Sequence, residues 1–240
     1  MSARLADVWV YLAQSPLLWL ALTVAAYGVA DLVHRRLGRA AVANQVLIAV
    51  LLLLLVLTVS DTRYATYFEG AQFVHFLLGP ATVALAVPLQ RQLRRERARA
   101  LPLTVALLAG SATAVVTAVL TARLLGASWP TVLSLAPKSA TTPVAMGIAE
   151  KVGGLPSLTA ALVILTGISG AILGTGLLRR IGVRDPVATG FALGVTSHGI
   201  GTARAFQVDE RAGAFSGLGM GLNALVTALL LPLLLRLLSP

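Results

Sequence analysis

The sequence predicts an all-α polytopic membrane protein: one transmembrane domain over 1–240, a helical bundle with broken or re-entrant helices and an internal two-fold repeat. Three observations carry that prediction. First, 57% of the 240 residues are hydrophobic and only 12% are charged, with a mean hydropathy of +0.86. A soluble domain of this size needs about a quarter of its residues charged to face water. Second, Val46–Ser60, Leu101–Ala122 and Ala212–Leu235 hold no charge, and a run of about 20 apolar residues is what a bilayer core requires. Third, proline, glycine and polar side chains interrupt three of the apolar runs.

Eight apolar segments follow one another, separated by short basic or turn-rich loops. The first four run Pro16–Val33, Gln45–Ser60, Ala71–Leu89 and Leu101–Arg123. The second four run Pro130–Ala149, Ser157–Leu178, Pro186–Arg204 and Ala212–Leu238. The repeat halves are read as 16–125 and 130–238. Leu78-Gly79 returns as Leu193-Gly194, an offset of 115, and Ala114–Leu120 resembles Ala224–Leu230, an offset of 110. Such repeats are a common plan for secondary transporters. Segment parity decides orientation: four crossings per half make the halves parallel, whereas one re-entrant segment makes them inverted.

Charge excludes several function classes. The net charge is +10, but the arginines gather in loops, at Arg35, Arg36 and Arg39 and again at Arg91, Arg94, Arg95, Arg97 and Arg99. That is the pattern of the positive-inside rule and of anionic lipid headgroups, not of nucleic-acid binding. If every segment crosses, cytoplasmic placement of those two loops leaves Arg179, Arg180 and Arg184 outside, against the same rule. Cysteine is absent, which removes disulfides, thiolate metal sites and Cys nucleophiles. No metal or other cofactor is expected. No hydrolase motif occurs, and Ser197 beside His198 cannot serve as nucleophile and base on one helical face, because neighbours point apart. The chain therefore reads as no enzyme, and Arg4 and Asp7 flank a first segment without a leader's cleavage pattern.

The interrupted segments hold the candidate chemistry. Leu78–Pro88 carries Pro80 and Pro88 with Thr82 between them. Leu135–Pro143 sets Lys138, Ser139, Thr141 and Thr142 between Pro137 and Pro143. Gly194–Arg204 holds Ser197, His198, Gly199, Gly201, Thr202 and Arg204. Proline removes a backbone donor, and glycine relaxes the helix. Non-helical backbone survives in a membrane only beside protein or a water-filled cavity. Broken segments at matching places in two halves point to a transport site. A lysine at mid-depth costs several kcal/mol, so Lys138 should face a cavity or an anion; the bland alternative is a lysine snorkelling near Trp129. Arg204 offers a planar fork for a carboxylate, or else faces lipid headgroups. A helix starting after Gly201 would add its positive end. His198 and Glu150 are the weaker candidates for ion coupling, with Lys151 a surface partner for Glu150. Gly213, Gly217 and Gly221 form a small-residue stripe suited to helix packing or to a homodimer, with Asn223 below it placed to bond across helices.

These stretches resemble the LrgB/CidB family, antiholin-like membrane proteins that include the plastid glycolate/glycerate translocator. The resemblance rests on Leu77–Leu89, Ala136–Met146 and Ser197–Ala205, with the Gly153–Thr159 turn and the Gly213–Leu222 stripe. It covers most of the chain after Asn44. Where the family tends to show Asn-Pro and Gly-Gly, this chain has Asn44-Gln45 and Gly70-Ala71; neither touches the polar motifs. The resemblance implies two functions: a holin/antiholin-like modulator of murein hydrolase activity and lysis, acting with a small LrgA/CidA-type membrane partner, or a carrier of small monocarboxylates such as glycolate or pyruvate. It also implies a multi-pass protein of the bacterial inner membrane. The broken, polar segments favour carriage by alternating access, with a small carboxylate held between the two clusters and near Thr82. A purely structural scaffold for the partner is the third reading.

Overall fold

The computed structural model describes residues 15–77 and 99–238, with residues 80, 83, 84 and 90 between them. Thr82, Pro88 and Arg91–Arg97 lie outside the described residues. The chain divides into two compact units, Met1–Ala84 and Leu85–Pro240. Among the described residues the secondary structure is helical throughout. Four helices are long and apolar enough to cross a membrane.

The first unit holds α1 (Pro16–Arg36), α2 (Gln45–Val59) and α3 (Tyr64–Phe76). Proline in the first turn of α1 suits the start of a helix, where its missing N–H is not needed. Asn44 caps α2 by accepting from the amides of Val46 and Leu47 at 3.0 and 3.1 Å, the expected work of an N-cap. Trp19 is buried and meets Tyr67 edge-on at 6.1 Å. Gly70 lets α3 close on α1, since a Cβ there would stand 2.8 Å from the Trp19 Cβ. The third predicted segment thus begins earlier than expected, at Tyr64. Its aromatic first turn, Tyr64, Tyr67 and Phe68, packs within itself.

The second unit holds α4 (Ala100–Leu124), α5 (Trp129–Leu135), α6 (Thr142–Val152), α7 (Pro156–Arg180), α8 (Pro186–Val208) and α9 (Glu210–Leu238). The predicted segment Pro130–Ala149 is therefore two short helices separated by 136–141. They fold back on one another. The Leu155 amide donates to Ser134 Oγ at 2.8 Å, although a continuous helix would hold these residues about 32 Å apart. Leu133, Ala136 and Ile148 share one apolar cluster, with Trp129 and Val152 packed against it. Gly153, at φ +90°, caps α6 in the left-handed conformation, and Gly154 comes so near Ser134 that a Cβ would sit 3.0 Å from its amide nitrogen. Residues 129–152 form a re-entrant hairpin whose base sits at the start of α7.

α8 makes the same manoeuvre at one residue. His198 takes φ 43°, ψ −135° inside an otherwise helical run, a rare conformation for a side chain with a Cβ. The two arms, 186–197 and 199–208, then lie together. A Cβ at Gly201 would stand 2.6 Å from the Leu193 carbonyl oxygen, and Leu193, Ala205 and Ala212 share a cluster. The base of this second hairpin sits at the end of α7, about 37 Å along that 25-residue helix from the base of the first. α9 runs back the other way. Its Leu231 and Leu235 join the cluster of Val132 and Leu133 at the first hairpin. Hairpin plus span thus occurs twice in opposite directions, as 129–180 and 186–238.

This arrangement removes the conflict in the arginine pattern. Trp129–Val152 returns to the end from which it started, so α4 and α7 run in opposite directions. Arg99, before α4, then meets Asp185, before α8, in an ion pair. Burial pushes the Asp185 carboxyl up, but the Arg99 guanidinium and the Val187 amide outweigh it and hold the group below its usual range. Arg99, Arg179, Arg180 and Arg184 consequently share one end of the unit.

Candidate functional site

The two hairpin tips converge on Val163 of α7. Val163 packs with Ala140 and Ala145 at the first tip. Its carbonyl oxygen lies 2.9 Å from His198 Nε2 at the second tip, where the ring N–H donates. Glycines of α7 admit the second hairpin. A Cβ at Gly167 would stand 2.5 Å from the His198 ring, one at Gly170 would overlap Ser197 Oγ, and one at Gly174 would stand 2.7 Å from Leu193.

Asn223 of α9 ties the first tip to its surroundings. It is buried, accepts from Ser111 Oγ of α4 at 2.5 Å and donates to the Ser139 carbonyl at 3.0 Å. Three separate stretches are thus pinned by one amide, across the helices as its place in the sequence predicts. Asn223→Leu is expected to lower stability by about 1–3 kcal/mol, one to two intramembrane hydrogen bonds plus an orphaned carbonyl. Thermal unfolding of the purified protein in detergent checks this; an unchanged midpoint excludes a structural role for the amide.

Lys138, Ser139, Thr141 and Thr142 stand together on the turn between α5 and α6. Lys138 is half-buried and makes no ion pair or side-chain hydrogen bond with any described residue. The hydroxyls of Ser139, Thr141 and Thr142 likewise bond to no described residue. Thr141 sits at the N-cap of α6 without capping it, and Pro143 follows in the first turn. The first turn of α6 therefore presents uncapped backbone amides beside three hydroxyls and an ammonium group. That is the donor set of an anion site.

The second tip is built differently. Ser197, His198 and Thr202 are buried. Thr202 Oγ1 donates to the His198 carbonyl at 2.9 Å and meets Ser216 Oγ at 3.0 Å. Gly199 opens the returning arm at the tip, so the arm's helix starts there and not after Gly201, because the break falls on His198. Gly201 lies between the arms. Arg204 is six residues down that arm, about 9 Å from the tip by helical rise, with Nη1 donating to Gln207 at 3.1 Å. The structure does not bring it to the tip.

The remaining sequence candidates are dispersed. Glu150 is exposed near the base of the first hairpin. Pro137 is buried at the first turn and Pro80 is exposed. Gly213 lies under the Phe206 ring, Gly217 is half-buried, and a Cβ at Gly221 would meet nothing within 4 Å. Residues that sequence reasoning passed over are Ser111, Val163 and the glycines 167, 170 and 174. The signal for the glycines was their i, i+3, i+7 spacing on one face of α7.

The chain matches the sequence profile of the LrgB-like family over residues 23–237. It is 33% identical over 194 residues to the holin-like protein CidB of Staphylococcus epidermidis, covering 81% of this chain and 85% of that protein. The CidB of Staphylococcus aureus is 32% identical over 194 residues, with the same shares covered. The Bacillus subtilis protein YwbG is 33% identical over 214 residues, 89% of this chain and 95% of its own length. No solved structure matches the chain. The four apolar helices and these relatives make it a membrane protein, and it belongs to the LrgB-like family.

Proposed function

We propose that the chain carries small monocarboxylates, of the glycolate, pyruvate and hydroxy-acid class, across the bacterial inner membrane by alternating access. One observation supports this above the others: an ammonium group, three hydroxyls and an uncapped helix start meet at the tip of a re-entrant hairpin and bond to nothing else described. Lys138 supplies the charge for the carboxylate. Ser139, Thr141 and Thr142 supply donors for its oxygens and for a 2-hydroxyl or keto group. The second tip closes the opposite side of Val163, with Ser197, His198 and the Gly199 backbone as its nearest polar elements. Two opposed hairpins whose tips meet between oppositely directed spans leave the site reachable from either face in turn.

Orientation follows from the arginines. The end of the second unit that holds Arg99, Arg179, Arg180, Arg184 and Arg211 lies in the cytoplasm, and the end with Arg123 and Lys151 lies outside. Because the chain has no cysteine, single cysteines report this directly. A cysteine at Ile181 is expected to react with an impermeant maleimide only in inverted vesicles, and one at Leu155 only in intact cells. The reverse pattern overturns the orientation.

The second reading is a holin-like modulator of lysis, favoured by the similarity to the holin-like CidB proteins. Uptake into proteoliposomes separates the two. Saturable accumulation of labelled glycolate, pyruvate or lactate supports carriage. Release of entrapped unrelated dyes without saturable uptake supports the holin-like reading and sinks the carrier.

A further inference from the structure

At the cytoplasm-facing base of the second hairpin lies a cavity of about 440 Å³, bordered by Thr175, Arg179, Arg184, Thr189, Val208 and Asp209 among others. Its volume is within the usual range for small-ligand sites, about 300–1,000 Å³. Four of its polar side chains have no partner among the described residues. Arg179 and Arg184 make no ion pair with any described residue, and the hydroxyls of Thr175 and Thr189 form no hydrogen bond with one. The carboxylates are already engaged, Asp209 at the cavity's border and Asp185 beside it. Asp209 accepts from the Ala212 amide at 3.0 Å, capping α9, and Asp185 is held by Arg99 and the Val187 amide. Arg204 adds to the positive field, being near enough to Arg179 to be repelled by it. Two guanidinium groups and two hydroxyls with no partner among the described residues, set around an open cavity, are complementary to a compact oxyanion.

We propose that this cavity binds a phosphate group, carried either by an anionic lipid headgroup or by a soluble phosphate ester. The two forks offer bidentate donors to the non-bridging oxygens, and Thr175 and Thr189 complete the cradle. Basic pockets between helices at the cytoplasmic surface are where such headgroups are held. The walls come from the end of α7, both arms of the hairpin and the start of α9, so an occupant bridges Pro186 and Thr189 on one arm to Val208 on the other. The site is about 18 Å of helical rise from the tip at His198, and it does not depend on the carboxylate reading.

The test uses the full-length protein in a neutral detergent. Binding of dioctanoyl phosphatidylglycerol, glycerol phosphate and inorganic phosphate is titrated against dioctanoyl phosphatidylcholine, with hydrogen exchange followed at 184–189 and 208–212. Saturable binding of phosphatidylglycerol alone assigns a lipid headgroup; equal binding of glycerol phosphate assigns a soluble ester. Arg179→Gln combined with Arg184→Gln is expected to weaken binding at least tenfold and to remove the ligand's protection of both segments. Arg180→Gln, exposed but outside the cavity, is expected to leave both unchanged. The proposal is overturned if none of the phosphates binds saturably, if Arg180→Gln weakens binding as much as the double variant, or if protection appears away from the hairpin base.

Discussion

Replacing Lys138 by alanine is expected to cut saturable carboxylate uptake between about tenfold and a hundredfold while leaving the fold intact. A hydrogen bond to a charged partner contributes about 1.5–3 kcal/mol, and Lys138 is the one cation in the 136–141 turn. The fold is spared because the side chain bonds to no described residue, so its loss orphans nothing. Truncation even removes the cost of holding a half-buried cation near apolar helices. Lys138→Arg should retain part of the activity, since it keeps the charge but replaces a compact point donor with a broad planar fork. Uptake into proteoliposomes, read beside the thermal midpoint, checks the pair. Full-rate transport by a well-folded alanine variant would falsify the assignment of the site. A lysine that only snorkels, or a scaffold without cargo, predicts that outcome.

The breaks that build this tip were legible in the sequence; the reversal of the chain at them was not. Pro137, Pro143 and Gly199 flag the neighbourhoods of the breaks, because each residue type weakens a helix by itself, although the second break falls on His198 and Gly201 stays within the returning arm. Whether the chain then continues across or folds back is decided elsewhere. For α8 it is decided by the torsions of His198, a residue whose type carries no preference for that conformation. For α5 and α6 it is decided by Ser134 meeting Leu155, residues 21 apart. Periodicity sees neither. The arginines did carry the information: Arg99 and Arg179–Arg184 can share a face only if one intervening segment fails to cross, and Trp129–Val152 folds back on itself. Lys138 and its hydroxyls were found as a cluster because they are contiguous. Arg204 was grouped with Ser197 and His198 by sequence proximity, which a helical arm turns into separation. Asn223 was marked as a cross-helix partner by its lone amide among apolar residues, but its acceptors on α4 and the hairpin could not be named from spacing.

Gly190→Ala and Gly194→Ala are expected to be among the most damaging single changes in the chain, costing more than about 3 kcal/mol each and removing folded protein from detergent extracts. The small-residue pattern Gly213, Gly217, Gly221 draws the eye first, but close approach is concentrated one helix earlier. A Cβ at Gly190 would overlap the Ala212 carbonyl, and one at Gly194 would overlap the Ser216 carbonyl and stand 2.9 Å from the Met220 amide. These are backbone atoms of the N-terminal half of α9, and no rotamer change can clear them. Overpacking in a core that can adjust costs about 1–3 kcal/mol; here adjustment means moving a whole helix whose packing depends on that proximity. Gly221→Ala, facing open space, is expected to cost less than about 0.5 kcal/mol, and Gly213→Ala falls between because the atoms nearest its Cβ belong to the Phe206 side chain. Size-exclusion recovery and thermal midpoints of the four variants check the order. If Gly221→Ala is as damaging as Gly194→Ala, its face packs against something beyond this chain, as a homodimer requires. If Gly190 and Gly194 tolerate alanine, the hairpin and α9 are not in close contact. If they do not, α8 and α9 move together, and access to the carboxylate has to change by shifting that pair against α7 and the first hairpin.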